Sequence, residues 1–171
     1  MFCLSNFFRA LGVVILASCS NEELIESKEI PKAILIDGSG TYSREISTNI
    51  PSSQNFFDQG LRFAWGFYFP ESIASYQESS RLDPDHPMPY WGMAHAMGPN
   101  PNSRYARMPD DPKGEGLKAI KKALERIQNA NPLEKRIINA LYVFYDKESI
   151  PDAKKRDQAY LNEMRLLNNE F

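Results

Sequence analysis

The sequence predicts an all-α fold, an α-solenoid of about three antiparallel helix pairs, and three observations point to it. Phe56, Gly60 and Phe63 return about 34 residues later as Tyr90, Ala94 and Met97. Ser72, Tyr76, Ser79 and Pro84 return as Ile120, Leu124, Ile127 and Pro132 after about 48 residues, the first period plus about 14. Ile137, Ile138, Leu141, Tyr142 and Phe144 then form a broad apolar face at helical spacing. A period of about 34 residues is one helix pair, too small to bury its apolar side alone. Pairs therefore stack and leave a curved surface open to a partner.

Taken in order, residues 1–18 carry one positive charge, Arg9, and the apolar run from Ala10 to Ala17. A run this short does not span a bilayer, and its layout is that of a secretory signal peptide. The following Leu16-Ala17-Ser18-Cys19 resembles the lipobox of bacterial lipoproteins. That resemblance implies that Cys19 becomes the first mature residue, carries a thioether-linked diacylglycerol and an N-acyl chain of the palmitate kind, and holds the domain at a membrane. Three chains exceed the two signals that stable anchoring requires. An ordinary cleaved signal ending near a Cys is the alternative. Ser20 stands where an Asp would resemble an inner-membrane retention signal, so the outer membrane is the expected destination, on its periplasmic or its surface face. The acidic Ser20 to Glu23 resembles the surface-export tag of some lipoproteins, or is a solvated tether.

Residues 19–52 mix charged, Ser, Thr, Gly and Pro residues with one apolar patch, Ile34 to Ile36, and read as a tether plus an extended segment docking on the first helix. The helical domain occupies 53–171. Its helices are expected at Gln54 to Tyr68, Pro70 to Leu82, Pro89 to Met97, Gly116 to Ala130, Leu133 to Lys147 and Ala153 to Asn168. Pro70 fits a first turn, where its missing N–H goes unused. The stretch from Gly98 to about Gly114 is too rich in Pro and Gly to stay helical and forms an inserted loop. In the last helix Tyr160, Met164 and Leu167 fill the slots of Ile120, Leu124 and Ile127. By that register the closing proline falls after Phe171. Either the chain is the N-terminal part of a longer array, or a polar sixth helix caps it.

These slots resemble the tetratricopeptide repeat (TPR) pattern. The first unit gives Phe56, Gln59, Gly60, Phe63, then Ser72, Tyr76, Ser79 and Pro84; the second gives Tyr90, Met93, Ala94, Met97, then Ile120, Leu124, Ile127 and Pro132. Serines replace two alanines, and Ile127 is large where a small residue is usual. The combination of Phe57-Asp58-Gln59-Gly60-Leu61, Tyr90-Trp91-Gly92 and Gly98-Pro99-Asn100-Pro101-Asn102 is similar to a group of bacterial repeat lipoproteins. Their usual Asn-His before the second helix is replaced here by Tyr68, Phe69 and Pro70.

That resemblance implies binding, with a protein or peptide partner, on a concave side lined by the first helix of each pair. Helical spacing places Phe57, Leu61, Trp65, Trp91, His95, Ile137 and Leu141 there as aromatic and apolar anchors. The alternative is that the 98–114 loop or the N-terminal segment covers many of them. The family's clamp for a partner's C-terminal carboxylate uses Lys, Asn and Arg in these slots, and here they are apolar. With 20 basic and 22 acidic residues the net charge is −2, so there is no electrostatic footprint for nucleic acid. Cys3 leaves with the signal and Cys19 is consumed by lipid, which leaves no thiol.

No catalytic set, cofactor or metal is expected. His86 and His95, near Asp83 and Asp85, match no usual metal spacing. Asp110 and Asp111 are adjacent in a loop, and Glu71 with Glu78 reads as a solvated helix face. A second functional reading is a carrier of a small apolar ligand or glycan through Trp65, Tyr90 and Trp91, and a third is the non-catalytic N-terminal part of a larger envelope protein.

Overall fold

The computed structural model describes residues 30–99 and 108–171. The expected signal peptide, Cys19 and the centre of the expected inserted loop lie outside the described residues. Among the described residues the fold is all-α, with six helices and one 3-10 turn. The helices are α1 (Pro51–Trp65), α2 (Phe69–Leu82), α3 (Met88–Met97), α4 (Pro112–Glu125), α5 (Pro132–Tyr145) and α6 (Ala153–Glu170), with the 3-10 turn Ile127–Asn129 between α4 and α5.

Local chemistry sets each end. Pro51, Pro112 and Pro132 open their helices, where a proline loses no hydrogen bond and its fixed φ suits the first turn. α1 therefore starts three residues before the predicted Gln54. The side chains of Asp111 and Asp152 accept the backbone N–H of Gly114 and Lys155 at α4 and α6. Asn131 and Glu134 exchange side-chain-to-backbone bonds of 2.9 and 2.8 Å, a capping box at α5. α4 ends at Glu125, and the predicted continuation to Ala130 tightens into the 3-10 turn.

α1 stops at Trp65 and not at Tyr68 because the chain reverses there. Phe67 N–H donates to Ala64 O and Tyr68 N–H to Phe63 O at 3.1 and 2.9 Å, the paired bonds of a Schellman turn. The turn demands a left-handed residue, and Phe67 takes φ +64°. A side chain there costs roughly 1–2 kcal/mol.

Consecutive helices pack on one another, and α3 also touches both α1 and α5. Within the first pair Ser53 meets Ser79 and Gly60 meets Ser72, so rising numbers on α1 face falling numbers on α2 and the two run antiparallel. α5 and α6 do the same, with Arg136 reaching Glu170 and Phe144 meeting Tyr160. The two serines that replace alanines are buried and donate to the backbone of the facing helix, which satisfies them and lets α1 and α2 approach closely.

The centre of the core is the ring of Tyr76. A β-carbon on Gly60 would lie 2.6 Å from it and one on Gly92 2.5 Å, so α1 and α3 each present a bare backbone to the same Cδ1–Cε1 edge of one side chain. α3 is buried at nine of its ten residues, His95 being the exception. α6 buries only Leu167 fully. Of the repeat residues, Tyr90, Gly92 and Ala94 are buried, Phe56, Phe63 and Leu124 are half-buried, and the closing Pro84 and Pro132 are exposed.

Candidate functional site

An extended strap, residues 30–50, lies against the first helix pair and is held by its backbone. Its first leg donates Lys32 N–H to Glu78 Oε2 (2.7 Å) and Ile36 N–H to Gln59 Oε1 (2.8 Å), while Gln59 Nε2 donates back to Ile34 O (2.9 Å). It turns at Gly38 and Gly40, whose φ of +80° and +98° suit glycine. The second leg returns along α1. Arg62 donates to Tyr42 O, Asp58 accepts Arg44 N–H, and Gln54 both donates to Arg44 O and accepts Ile46 N–H, all at 2.9–3.0 Å.

This is how side-chain amides and carboxylates imitate a neighbouring strand. Eight strap backbone groups, from Lys32 to Ser47, are matched by helix side chains. The strap's own apolar side chains contribute little: Ile34 is 73% exposed, Leu35 50% and Ile36 48%. The expected docking of Ile34 to Ile36 on α1 therefore happens through main chain and not through burial. Only Ile46 enters the core.

The second leg ends in a polar latch. Ser47 N–H donates to Glu134 Oε1 at 2.7 Å, and the Ser47 hydroxyl donates to Glu134 Oε2. His86 Nδ1 accepts Met88 N–H at 3.3 Å, which leaves the proton on Nε2, 3.1 Å from Ser47 Oγ. His86 thus offers Ser47 a proton instead of taking one, so the trio fastens the strap and does not activate a nucleophile. Burial lowers the His86 pKa, and the carboxylates of Glu134 and Asp83 partly offset that. Glu134 serves twice, capping α5 and gripping the strap.

The predicted groove residues separate into two groups. Phe57, Leu61, Trp91, Ile137 and Leu141 are buried core residues and line no open groove. The reason is a one-residue difference on α1: Phe57, with its ring centroid 5.5 Å from that of Tyr76, fills the interior position, while Phe56 is half-buried beside it. Trp65 is open, at 66% exposure. His95 is half-buried and stacks on Trp91 at 5.1 Å, and neither Trp91 Nε1 nor His95 Nδ1 has a partner. Burial alone lowers the His95 pKa.

Glu78 departs from the expected solvated face. It is buried and bonded to both Arg81 and Lys32 N–H, and the Arg81 bond holds its pKa below the usual carboxylate range; Glu71 is exposed. Gln54, Asp58, Gln59 and Glu78 hold the strap, a role that sequence reasoning missed. Their signal was four polar side chains at helical spacing on the inner faces of a pair. Asp83 accepts the Thr48 hydroxyl, and among the described residues no group of three His, Cys, Asp or Glu side chains could hold a metal.

A second concavity of about 470 Å³ lies between α2, α3 and α4, with Ile73, Tyr90, Met93 and Met97 in its lining and Lys118 and Lys122 at its rim. No protein-family model, curated protein or solved structure matches the chain.

Proposed function

We propose that this protein is a lipid-anchored, TPR-like scaffold of the bacterial envelope that binds an extended peptide segment of a partner protein and performs no catalysis. The observation that carries the reading is the strap. Side chains of α1 and α2 already grip an extended chain by seven backbone groups, and Glu134 of α5 holds an eighth, while most of the chain's own side chains are ignored. A face with that chemistry accepts other extended segments, with affinity from main-chain bonds and specificity from side-chain pockets. Each such bond contributes only about 0.5–1.5 kcal/mol net, so the first leg, which buries no side chain, is displaceable.

The contacts of α3 with both α1 and α5, added to those between consecutive helices, support a solenoid-like stack of pairs. The sequence Leu16 to Cys19 supports the anchor at Cys19 and the envelope location, most simply the outer membrane. The test places a photo-crosslinking amino acid at Asn55, exposed on α1 beside the strap, in the full chain in its own cell. A discrete protein adduct is expected there and not with the same probe at exposed Lys154 on α6. The same adduct pattern from both positions would sink the reading.

The concavity between α2 and α4 favours a second reading, carriage of a small apolar ligand, since its volume falls within the range of ligand pockets. Met93→Trp would fill it. Loss of a copurifying small molecule, with the Asn55 adduct unchanged, would favour the carrier.

A further inference from the structure

The turn between α1 and α2 strains its backbone where the fold has no need of it. The reverse bonds at the end of α1 require a left-handed residue, and glycine is the ordinary choice. A glycine is present one position early, Gly66, at φ −82°, a backbone angle that does not call for glycine. The left-handed place is filled by Phe67, and the strained side chain is not tucked into the core. Trp65, Phe67 and Tyr68 are 66%, 58% and 61% exposed, side by side. Edge contacts brace two of the rings, Phe67 on Phe69 at 6.2 Å and Tyr68 on Phe63 at 6.3 Å. Three aromatics held in solvent, two of them braced and one at the cost of strain, mark a surface that meets something apolar.

We propose that this aromatic tip rests in the headgroup region of the lipid bilayer that holds the anchor. The inference builds on the lipid-anchored reading above. Trp and Tyr combine an apolar body with a polar end, the chemistry of the membrane interface. Among the described residues no helix is long and apolar enough to cross a membrane, so the contact is interfacial. The chain from Cys19 to Ile30 spans at most about 40 Å when fully extended, which keeps the domain within about its own width of the bilayer. From Ile30 the strap leads to its Gly38 to Gly40 turn, where Ser39 accepts from Arg62, one helical turn before Trp65. The tether joins beside Glu78, level with the Ser53 end of α1, so it and the tip are one helix length apart, roughly 22 Å, a distance that the tether's reach covers. The charged neighbours are Arg62, engaged with the strap, and the exposed Asp37 and Glu71. They give no attraction for anionic lipid, so the expected surface is zwitterionic and its binding is insensitive to salt.

The chain has two tryptophans, and they report separately: Trp65 is exposed and Trp91 is buried. The experiment uses the full mature chain with phosphatidylcholine and phosphatidylethanolamine vesicles that carry brominated acyl chains. In a Trp91→Phe variant, Trp65 emission is expected to move to shorter wavelength and to be quenched several-fold more than Trp91 emission in a Trp65→Phe variant. Phe67→Gly should lower that quenching while raising thermal stability, opposite signs that a merely structural role does not produce. Trp65 emission that stays unquenched by bromolipid, with acrylamide access unchanged by vesicles, overturns the proposal, as does protection of Trp65 by a protein partner without lipid. Fatty-acid labelling of wild type against Cys19→Ser tests the anchor by itself. A labelled chain with an unquenched Trp65 rejects only the tip; an unlabelled chain whose Trp65 is quenched by added vesicles rejects only the anchor.

Discussion

Tyr76 and Tyr145 occupy similar slots in different halves of the molecule, and the difference between them separates packing from polar satisfaction. Each ring sits against two glycines, Gly60 and Gly92 for Tyr76, Gly98 and Gly116 for Tyr145. Burial raises both pKa values well above the ordinary tyrosine range, so both are neutral at any working pH. Their hydroxyls differ. Tyr145 donates to Ala94 O at 2.6 Å, capping a carbonyl in the last turn of α3, while the Tyr76 hydroxyl is buried with no well-formed bond, only the Ser72 side chain close by. One tyrosine fills space and ties off a helix end. The other only fills space.

The largest effect is expected where the packing is tightest. Gly92→Ala would set a methyl 2.5 Å from the Tyr76 ring, inside a core with no room to retreat. Overpacking of this kind costs about 1–3 kcal/mol, and a 2.5 Å approach to a buried ring puts it at the upper end, well above the roughly 1 kcal/mol that alanine gains in a helix interior. Chemical denaturation should show a net loss of about 2 kcal/mol, and a Gly92→Ala chain as stable as wild type would break the account of the slot. Tyr145→Phe comes next. It keeps the ring and strands the Ala94 carbonyl, for an expected loss of about 1–2 kcal/mol by the same measurement.

The same contrast shows what could be read from residues alone. Gly60, Tyr76 and the period were legible because a repeat pattern states which positions must be small and which large. The neighbouring pair Phe56 and Phe57 was not resolved, since two equal aromatics one step apart on a helix satisfy the pattern equally and only packing selects Phe57. The strap was legible as extended chain, but not its mode of attachment. Gln54, Asp58, Gln59 and Glu78 look like solvated polar residues until an extended segment eight or more residues away in sequence covers them. Trp65 was read as a groove anchor, and its outward position follows from the early stop of α1.

The two histidines repeat the tyrosine contrast and extend it to pH. His86 has partners on both ring nitrogens and two carboxylates nearby; His95 stacks on Trp91 and has an Nδ1 without a partner among the described residues. Burial lowers both pKa values. Below about pH 6.5 the unfolded chain then takes up protons that the folded chain resists. Stability is fully present above that pH and falls as the pH drops toward the folded values, by at most about 1.4 kcal/mol per pH unit for each group. His95→Gln should flatten the dependence of melting temperature on pH between about 6.5 and 5. An unchanged slope would mean that His86 alone carries it. Glu78, whose pKa is lowered by Arg81, adds a separate loss that begins below about pH 4.5, outside this window.

The smallest expected effect has the opposite sign and is the most telling. Tyr76→Phe removes a hydroxyl that is fully desolvated and has no well-formed bond, only Ser72 close by and already given to Gly60 O, so the folded state sheds a desolvation cost that exceeds the contact it loses. The ring, its two glycine contacts and its tilted contact with Phe57 at 5.5 Å are unchanged. Denaturation should find the variant as stable as wild type or more so, by up to about 1 kcal/mol, while Tyr145→Phe is weakened. If both variants lose stability equally, the Tyr76 hydroxyl has a partner in solution and the two slots are alike; if only Tyr145→Phe does, the hydroxyl bond to α3 is what distinguishes the second slot from the first.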